Sequence, residues 1–429
     1  MKKRFTLGIA AFLLSLFSCS STKAGVDYDN YVPGKPDAQS VIQPEPMTDK
    51  TAFDYFRDEG IKAGFNIGNT LDAWRNSGTD YFSGEDVSWG NPRINQEFIN
   101  GIKAAGFDIV RIPITWMGFI GPPNDYHISE SFLKRVSDVA GYAHNAGLKV
   151  IINLHHDGVS DNSNGVPKDN GWLTINTARK DEAGYQKVTF EFARVWRQIA
   201  LYFKNHGDWL IFEPFNELHD GGWGWSPDFK SNPKQQIDIT NKWNQVFTDT
   251  VRATGGNNAT RYLVIPGYNT MRAVILSDMF ALPDDPAPSR QIVSFHYYDP
   301  YEFGILGDAQ GGRSDWGADV DRQKVLADFA PVKEKFIDNK IPVIIGEMGA
   351  VLQLYPSDKE KEDRARKARL DYLSHVCGAA KRYGLVPIYW DNGLTTGRGE
   401  KFGLLNRATG RPFSAESETI IKAMINAVK

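Results

Sequence analysis

The chain has 429 residues, of which 41% are hydrophobic and 24% are charged, and its net charge is −3. This composition is ordinary for globular proteins and excludes a fibrous or largely disordered chain. The small negative charge argues against a nucleic-acid partner. Length alone allows one large domain or two smaller ones.

The first residues have the pattern of an export signal. The basic start "MKKR" precedes an apolar run from Leu7 to Phe17, which is too short to cross a bilayer core of about 30 Å. The following "LFSC" resembles a bacterial lipobox. We therefore expect residues 1–19 to be a lipoprotein-type signal, with Cys19 as the lipid attachment site of an outer-membrane protein that faces the periplasm or the cell surface. The alternative is ordinary cleavage after Ala24, which would give a secreted protein.

Residues 20–47 are interpreted as a flexible linker, because they are polar, contain several prolines and lack a sustained apolar period. From Thr48 onward no second linker, low-complexity tract or short repeat interrupts the chain, which favours one domain over residues 48–429. With Cys19 lipidated, Cys377 has no disulfide partner. We expect it to be a buried, inert thiol on a helix.

Short apolar runs alternate with longer amphipathic stretches in this domain, which is typical of a parallel sheet covered by helices. Helical stretches such as residues 94–106, 131–147 and 191–207 each end at a glycine that can take the left-handed C-terminal cap. Eight such units predict an α/β fold of the (β/α)8 TIM-barrel type. The alternative, an open doubly wound sheet, is disfavoured because no G-x-G-x-x-G follows the first strand. The predicted strands lie, in chain order, near Gly64, Val110, Ile151, Ile211, Val264, Phe295, Ile345 and Tyr389.

Polar and aromatic side chains recur where these strands end. In such barrels the C-terminal strand ends and the loops after them carry the active site. A polar residue at one strand end usually faces solvent, but agreement across most strands indicates a site. The residues are Arg111, His155, His156, Asn216, Glu217, His296, Tyr298, Glu347 and Trp390.

Two of these residues, Glu217 and Glu347, can act together on a glycosidic bond, one as proton donor and one as nucleophile. The proton donor needs burial or a nearby like charge, and the nucleophile needs a cation. Arg111 is the only arginine that the pattern directs inward, so we assign it to Glu347. We expect Asn216 to bind the substrate 2-hydroxyl, and Glu213, which lies within its strand, to be structural.

No metal and no organic cofactor are predicted. His155 and His156 are adjacent, and neighbouring residues of a strand point to opposite faces, so we do not expect both to reach one centre. Neither an H-E-x-x-H motif nor a comparable ligand spacing is present. Because His156 begins a loop, a substrate contact and a structural role both remain open for it.

Seven segments of this domain form a recognisable set when they are taken in chain order: "GFNIGNTLDAW", "DIVRIPITW", "VIINLHHDG", "FEPFNELHD", "VSFHYYDP", "IIGEMGA" and "IYWDNG". Together they resemble glycoside hydrolase family 5 and, more narrowly, its endoglucanase and xyloglucanase-like subfamily 4. The resemblance extends from Thr48 to the C-terminus.

The resemblance implies a retaining enzyme with Glu217 as acid/base and Glu347 as nucleophile, and with carboxyl groups about 5 to 5.5 Å apart. It implies that Tyr298 and Arg111 hold the nucleophile and that His296 lies close to the acid/base. The remaining implied residues are His155 and Asn216 in the supporting shell and Trp390 under the sugar beside the scissile bond. Separately from the resemblance, we expect Asn66 to be a substrate contact.

Tryptophans in the loops are candidates for stacking on sugar rings, with core or loop packing equally open for each. We favour Trp223 and Trp225, because the glycine-rich tract "HDGGWGWSPDF" that carries them follows Glu217 and is unlikely to bury both. The other candidates are Trp74, Trp89, Trp116, Trp172 and Trp316.

Together these inferences predict a monomeric retaining endo-β-1,4-glucanase that cleaves xyloglucan, mixed-linkage β-glucan or amorphous cellulose. An endo-β-mannanase or endo-xylanase on the same barrel remains open, because loop shape decides between such substrates. An inactive carbohydrate-binding barrel would have lost one of the carboxylates, and both are present. A peptidase or esterase would need a G-x-S-x-G elbow or a Ser-His-Asp set, which the sequence lacks.

Overall fold

Eight parallel strands form a barrel in a computed structural model that describes residues 43–76, 81–82, 87–122, 125–158, 160–161, 168–169, 171–397 and 399–429. Each strand pairs with the next along the chain, and the last pairs with the first. This closure excludes the open sheet, and all eight predicted strands are confirmed. They are β1 (Gly64–Ile67), β2 (Ile109–Ile112), β3 (Lys149–Ile152), β4 (Leu210–Phe212), β5 (Leu263–Pro266), β6 (Gln291–Tyr297), β7 (Val343–Met348) and β8 (Leu385–Asp391).

Twelve α-helices in the described part of the chain surround or cap the barrel. Two short antiparallel strand pairs lie outside it, Arg75–Asn76 with Tyr81–Phe82 and Ser160–Asp161 with Lys168–Asp169. The helices are α1 (Ala52–Asp58), α2 (Gln96–Ala104), α3 (Glu130–Asn145), α4 (Ile175–Lys180), α5 (Glu182–Tyr202), α6 (Pro227–Ser231), α7 (Lys234–Ala253), α8 (Arg272–Leu276), α9 (Tyr301–Gly304), α10 (Asp319–Val332), α11 (Lys359–Tyr383) and α12 (Ala415–Val428).

The N-terminal end of the barrel interior is filled by aliphatic side chains, and α1 closes it with Tyr55 and Phe56. Side chains alternate along a strand, so residues two positions after an inward residue also face inward. This alternation directs Arg111 and Glu213 into the barrel one layer above the aliphatic one. The aliphatic layer contains Ile109, Ile151, Ile211, Val264, Ile292, Ile344, Val386 and Ile388.

Two of the three predicted glycine caps are present, and the third is wrong. Gly106 after α2 and Gly147 after α3 have φ of 101° and 76°. Gly207 is not in the left-handed region, because α5 already ends at Tyr202. The buried guanidinium of Arg261 instead donates to the main-chain oxygens there, which removes the need for a glycine cap. Those oxygens belong to Phe203, His206, Gly207 and Leu210.

Among the described residues, Glu45 already contacts the barrel, although it lies inside the segment assigned to the linker. The N–H of Glu45 donates to the oxygen of Asn205 at 2.9 Å, and its oxygen accepts from Nδ2 of Asn257 at 2.9 Å. Its carboxylate accepts from the N–H of Gly207 at 2.7 Å. The linker boundary at residue 47 is therefore too late. The predicted signal, Cys19 and most of the linker lie outside the described residues.

Cys377 lies on α11 and is buried, and this burial raises the pKa of its thiol to about 12. The predicted burial of this thiol on a helix is confirmed, and its low reactivity stays a prediction. Within the described residues, no helix combines the length and the apolar character needed to cross a membrane.

Candidate active site

Glu217 and Glu347 meet at the C-terminal end of the barrel. Glu347 lies near the end of β7, and Glu217 lies in the loop that follows β4. A carboxylate oxygen of each glutamate and a ring nitrogen of His296 all lie within 4.8 Å of one another. Barrel closure thus brings together two side chains that are remote in sequence.

Arg111 on β2 links the base of this site to the carboxylates above it. The side chain is completely buried, and its Nε donates to Oε2 of Glu213 at 2.6 Å. Its Nη1 donates to Oε1 of Glu347 at 2.8 Å, and its Nη2 donates to Oδ1 of Asn216 at 2.7 Å. Burial alone would lower the pKa of Arg111, but the charges of Glu213 and Glu347 outweigh burial and raise it. Arg111 is therefore a fixed cation.

Glu213 faces the barrel interior and is fully buried. Its Oε2 is bound to Arg111, and its Oε1 has no hydrogen-bond partner within the described part of the chain. Glu213 is separated from solvent by the layer that contains Glu347. Its contacts agree with a structural role, but the sequence did not reveal that it shares Arg111 with Glu347.

Asn66 is not the substrate contact that was predicted from the sequence. It is fully buried, its Oδ1 accepts from Nη1 of Arg111 at 3.0 Å, and its Nδ2 donates to the oxygen of Gly346 at 2.8 Å. With both ends of the amide engaged below the site, Asn66 cannot contact a substrate. It supports Arg111 instead.

The orientation of Asn216 follows from its contact with Arg111. A guanidinium only donates hydrogen bonds, so the atom of Asn216 that faces it is the acceptor, Oδ1. The Nδ2 group is then directed away from Arg111 and is free to donate to a ligand. This arrangement suits the predicted contact with a sugar hydroxyl.

Both oxygens of Glu347 are engaged. Oε1 accepts from Arg111, and Oε2 accepts from the hydroxyl of Tyr298 at 3.0 Å. The pKa of Glu347 is raised, mainly by burial and also by the charge of Glu217. His296, Arg111 and Tyr298 act in the opposite direction and limit this rise. Burial, followed by the charge of Glu347, raises the pKa of Tyr298 well above its ordinary value, so this hydroxyl remains a donor.

Glu217 has the environment of a proton donor. Its Oε1 lies 2.6 Å from Nδ1 of His296. Burial raises the pKa of Glu217 to about 7, against the opposing charges of Arg111 and His156. Burial also lowers the pKa of His296 to about 4, so His296 is neutral when Glu217 titrates. A carboxyl with a pKa near neutrality can both give and accept a proton.

Asn153 fixes the tautomer of His155, although Asn153 was not among the site residues predicted from the sequence. Oδ1 of Asn153 accepts from the N–H of Ile114 at 3.1 Å, so its Nδ2 is the group 3.2 Å from Nδ1 of His155. Because Nδ2 is a donor, Nδ1 of His155 must accept, and the ring proton lies on Nε2. Burial lowers the pKa of His155 well below its usual value, which keeps the ring neutral.

His155 and Trp390 form one wall of the site. Their rings are nearly parallel, at 5° and 5.7 Å between centroids. Nε2 of His155 is 4.0 Å from Oε1 of Glu347. His156 turns away from Glu347, with Nε2 3.7 Å from Oδ2 of Asp72 and a side chain that is 24% exposed. A ligand can therefore still reach His156.

Two groups of side chains could offer three ligand atoms each to a metal ion. A metal-bound histidine normally donates its other N–H to an acceptor. Nδ1 of His155 instead faces the donor group of Asn153, and Nε2 of His296 is buried without a partner in the described structure. Neither group fits a metal centre, and we assign none. The groups are Asp72, His155 and His156, and Glu217, His296 and Glu347.

The loop tryptophans separate into exposed and packed residues. Trp223 and Trp225 are 51% and 71% exposed, on a loop with left-handed glycines at Gly221 and Gly224. Trp116 is fully buried in the core, so its role is packing. The other tryptophans are half-buried or buried. Trp89 lies near His156, Trp172 donates a hydrogen bond to Asp157, and Trp316 packs on Tyr372.

The sequence contained a signal for one of the missed residues. Asn153 lies two positions before His155, so the alternation of a strand would place the two on one face. Asn269, whose N–H donates to the oxygen of Leu218 at 2.9 Å beside Glu217, follows β5 and had no comparable signal.

The chain matches the family model Cellulase (glycosyl hydrolase family 5) over residues 69–395. The chain belongs to this family. Endoglucanase B of Clostridium cellulovorans is 34% identical over 411 residues, which cover 95% of this chain and 81% of the relative. A xyloglucan-specific endo-beta-1,4-glucanase of Bacteroides ovatus is 35% identical, with 85% of this chain and 69% of the relative covered.

Solved structures agree with this assignment. A GH5-4 broad specificity endoglucanase from Bacteroides salanitronis has a TM-score of 0.75 and 39% sequence identity, with 92% of this chain and 99% of that chain covered. The family predicted from the sequence is therefore confirmed.

Proposed function

We propose that the chain is a retaining endo-β-1,4-glucanase with Glu217 as acid/base and Glu347 as nucleophile. The observation that carries this proposal is the short distance between the two carboxylates. One oxygen of Glu217 lies within 4.8 Å of one oxygen of Glu347. Retaining glycosidases hold their carboxyl groups about 5 to 5.5 Å apart, whereas inverting enzymes need about 6.5 to 9.5 Å for a water molecule.

In the first step, the protonated Glu217 transfers its proton to the glycosidic oxygen while the carboxylate of Glu347 attacks the anomeric carbon. The glycosidic bond breaks, and an ester bond to Glu347 forms. Arg111 and Tyr298 favour the ionised form of Glu347 and orient it for this attack. Asn216 donates from Nδ2 to the sugar 2-hydroxyl, a contact that strengthens as positive charge develops on the ring.

In the second step, the ionised Glu217 takes a proton from water, and the resulting hydroxide equivalent attacks the anomeric carbon. The ester bond to Glu347 breaks, and the sugar leaves with its original anomeric configuration. The pKa of Glu217 near 7 suits both steps, because the group must be protonated before the first and ionised before the second.

We propose a β-1,4-linked glucan as substrate, with xyloglucan, mixed-linkage β-glucan and amorphous cellulose as the candidates. The names of the similar proteins support a glucan, since they describe endoglucanases and a xyloglucan-specific enzyme. Trp223 and Trp225 are exposed in the loop after Glu217, where indole rings can stack on sugar units of a long chain. Trp390 would lie under the sugar at the reacting centre.

Digestion of a polysaccharide panel tests this proposal. The panel contains xyloglucan, mixed-linkage glucan, carboxymethyl cellulose, glucomannan and xylan, with sizing of products over time and the Glu347→Ala variant as control. We expect an early fall in chain length on at least one glucan, and no products with the variant. Release of monosaccharide alone would contradict internal cleavage, and preference for glucomannan or xylan would contradict a glucanase.

We propose that residues 1–19 direct export and that Cys19 carries a lipid. Three features support this proposal: the basic start, the apolar run that is too short to cross a membrane, and the "LFSC" that follows it. Expression of the full chain in a bacterium with two membranes, with fatty-acid labelling and fractionation, tests this. We expect labelled protein in the outer membrane and unlabelled protein with Cys19→Ala. An unlabelled wild-type protein in the medium would instead support cleavage after Ala24.

A further inference from the structure

Gly68 directly follows β1, where a larger residue would collide with Trp390. Side chains alternate along a strand, and Asn66 faces the barrel interior, so position 68 faces inward at the mouth of the barrel. A Cβ atom at this position would lie 2.7 Å from both Cζ2 and Cη2 of Trp390. The six-membered ring of the indole therefore occupies the space that any other side chain at position 68 would need.

The need for glycine comes mainly from this contact. Gly68 is outside the left-handed region, so alanine can adopt its backbone conformation. A Cβ atom would also lie 3.1 Å from the main-chain oxygen of Asp391, which is a smaller conflict than that with the indole.

The main chain of Gly68 is held in place. Its N–H donates to the oxygen of Asp391 at 2.9 Å, and its oxygen accepts from Nη2 of Arg407 at 3.2 Å. The indole is then the part that yields to a methyl group at position 68. Carbon atoms in favourable contact are about 3.5 to 4.0 Å apart, so the methyl group would displace the ring by about 1 Å.

The packing of Trp390 decides the direction of this displacement. Trp390 belongs to a small apolar cluster with Val351 and Phe402. Phe402 in turn lies against the main chain of Gly349, where a Cβ atom would be 3.0 Å from Cδ1 of the ring. The cluster therefore leaves little space for the indole. Trp390 is 9% exposed, and the mouth is the side toward which a displaced indole would move.

We propose that Gly68 is a positioning residue for Trp390, and that its missing side chain sets the depth at which the indole supports the sugar at the reacting centre. Glu347 must meet the anomeric carbon of this sugar in both steps, and a displacement of about 1 Å can cost about 100-fold in rate. Gly68 acts through the indole, which covers it. This inference rests on the proposed function, in which Trp390 lies under that sugar.

Gly68→Ala, Trp390→Phe and the double variant test the proposal. The phenyl ring is smaller than the indole and does not extend to the positions of Cζ2 and Cη2. We expect kcat/KM of Gly68→Ala to fall about 10-fold to 100-fold. The fall should be similar on polysaccharide and on an aryl glycoside, because the same sugar rests on the indole in both. In the Trp390→Phe background, Gly68→Ala should change kcat/KM by less than about twofold.

Gly141→Ala on α3 is the matched control, because a Cβ atom there meets no described atom within 4 Å. It should leave kcat/KM unchanged. Equal losses from Gly68→Ala in the wild-type and Trp390→Phe backgrounds would overturn the proposal, as would a wild-type rate for Gly68→Ala. If Gly68→Ala did not fold, a folded double variant with the activity of Trp390→Phe would support the contact, and an unfolded double variant would overturn it.

Glu347→Ala and a crystal structure of Gly68→Ala separate this inference from the proposed function. Full activity of Glu347→Ala on polysaccharide would refute the assigned nucleophile, whatever the result at position 68. In the crystal structure, an indole displaced by about 1 Å toward the mouth would support the role of Gly68. An indole that superimposes on that of the wild type would overturn it.

Discussion

Arg111 donates from Nε to Oε2 of Glu213 at 2.6 Å, and both side chains are completely buried beneath Glu347. Glu213 thereby fixes the plane of the guanidinium. Of the remaining N–H groups, Nη1 donates to Asn66 and Glu347 and Nη2 donates to Asn216, and the last two of these side chains face the mouth. A carboxylate that never touches the substrate thus determines where the cation of the site lies.

Glu213→Ala should therefore impair both stability and catalysis. Removal of one partner leaves a buried charge with less compensation, and we expect the free energy of unfolding to fall by about 3 kcal/mol. kcat should fall as well, because Arg111 can rotate away from Glu347. Denaturant unfolding and initial rates measure the two effects. Glu360→Ala on α11 is the control, since Glu360 is 92% exposed and should change neither.

Glu217→Ala and Glu347→Ala should differ in their dependence on the leaving group. Both should abolish hydrolysis of polysaccharide, because an unactivated sugar needs both acid assistance and a nucleophile. On an aryl glycoside with a good leaving group, Glu217→Ala should still form the covalent intermediate, seen as a burst of phenol. Glu347→Ala should give no burst. A burst from Glu347→Ala would contradict its assignment as nucleophile.

The pH profile should reflect the raised pKa of Glu217. This carboxyl is protonated below about pH 7, and only the protonated form can donate to the leaving oxygen. kcat/KM on polysaccharide should therefore fall above about pH 7. An aryl glycoside with a good leaving group needs little acid assistance, so its alkaline limb should lie at higher pH. Identical alkaline limbs for both substrates would contradict this origin.

Asn153→Ala should allow His155 to adopt both of its neutral tautomers. Without the amide donor, the ring proton can move from Nε2 to Nδ1, and the N–H that faces the site is lost in part of the population. By analogy with groups that orient histidines in metal sites, we expect a loss of about tenfold in kcat. Nitrogen-15 chemical shifts of His155 report the tautomer directly. Asn100→Ala on α2, an exposed site, should leave both measurements unchanged.

Glu191 should make stability depend on pH. It lies on α5, and burial raises its pKa to about 7, followed by a smaller contribution from Asp157 against the opposing charge of Lys187. The pKa of Glu191 is therefore about 7 in the folded protein and about 4.5 in the unfolded chain. Its contribution to stability is fully present below about pH 4.5 and is lost as the pH rises through about 7.

Glu191→Gln, which cannot ionise, should therefore stabilise the protein at pH 8 by about 2 kcal/mol and have little effect at pH 4.5. Thermal unfolding at both pH values measures the difference. Equal effects at the two values would exclude titration of Glu191 as the cause. Glu418→Gln is a control on α12, because Glu418 is half exposed.

The barrel, its eight strands and the two carboxylates at the strand ends were predictable from local sequence patterns alone. These features follow from local patterns, because apolar period and glycine position are set by residues close together in the chain. Local patterns also predicted that Glu213 would be structural and that Arg111 would serve Glu347. They failed at Gly207, where the guanidinium of Arg261, which precedes β5, replaces the glycine cap.

Which side chains share a hydrogen-bond partner depends on the three-dimensional fold. Arg111 meets Asn66, Glu213, Asn216 and Glu347 only because the closed barrel brings four of its strands and the residues that follow them around one guanidinium. The same closure buried Asn66 below the site and set Asn153 against His155. Hydrogen-bond partners depend on the stagger between strands that are far apart in sequence, and no periodicity within a single strand encodes that stagger.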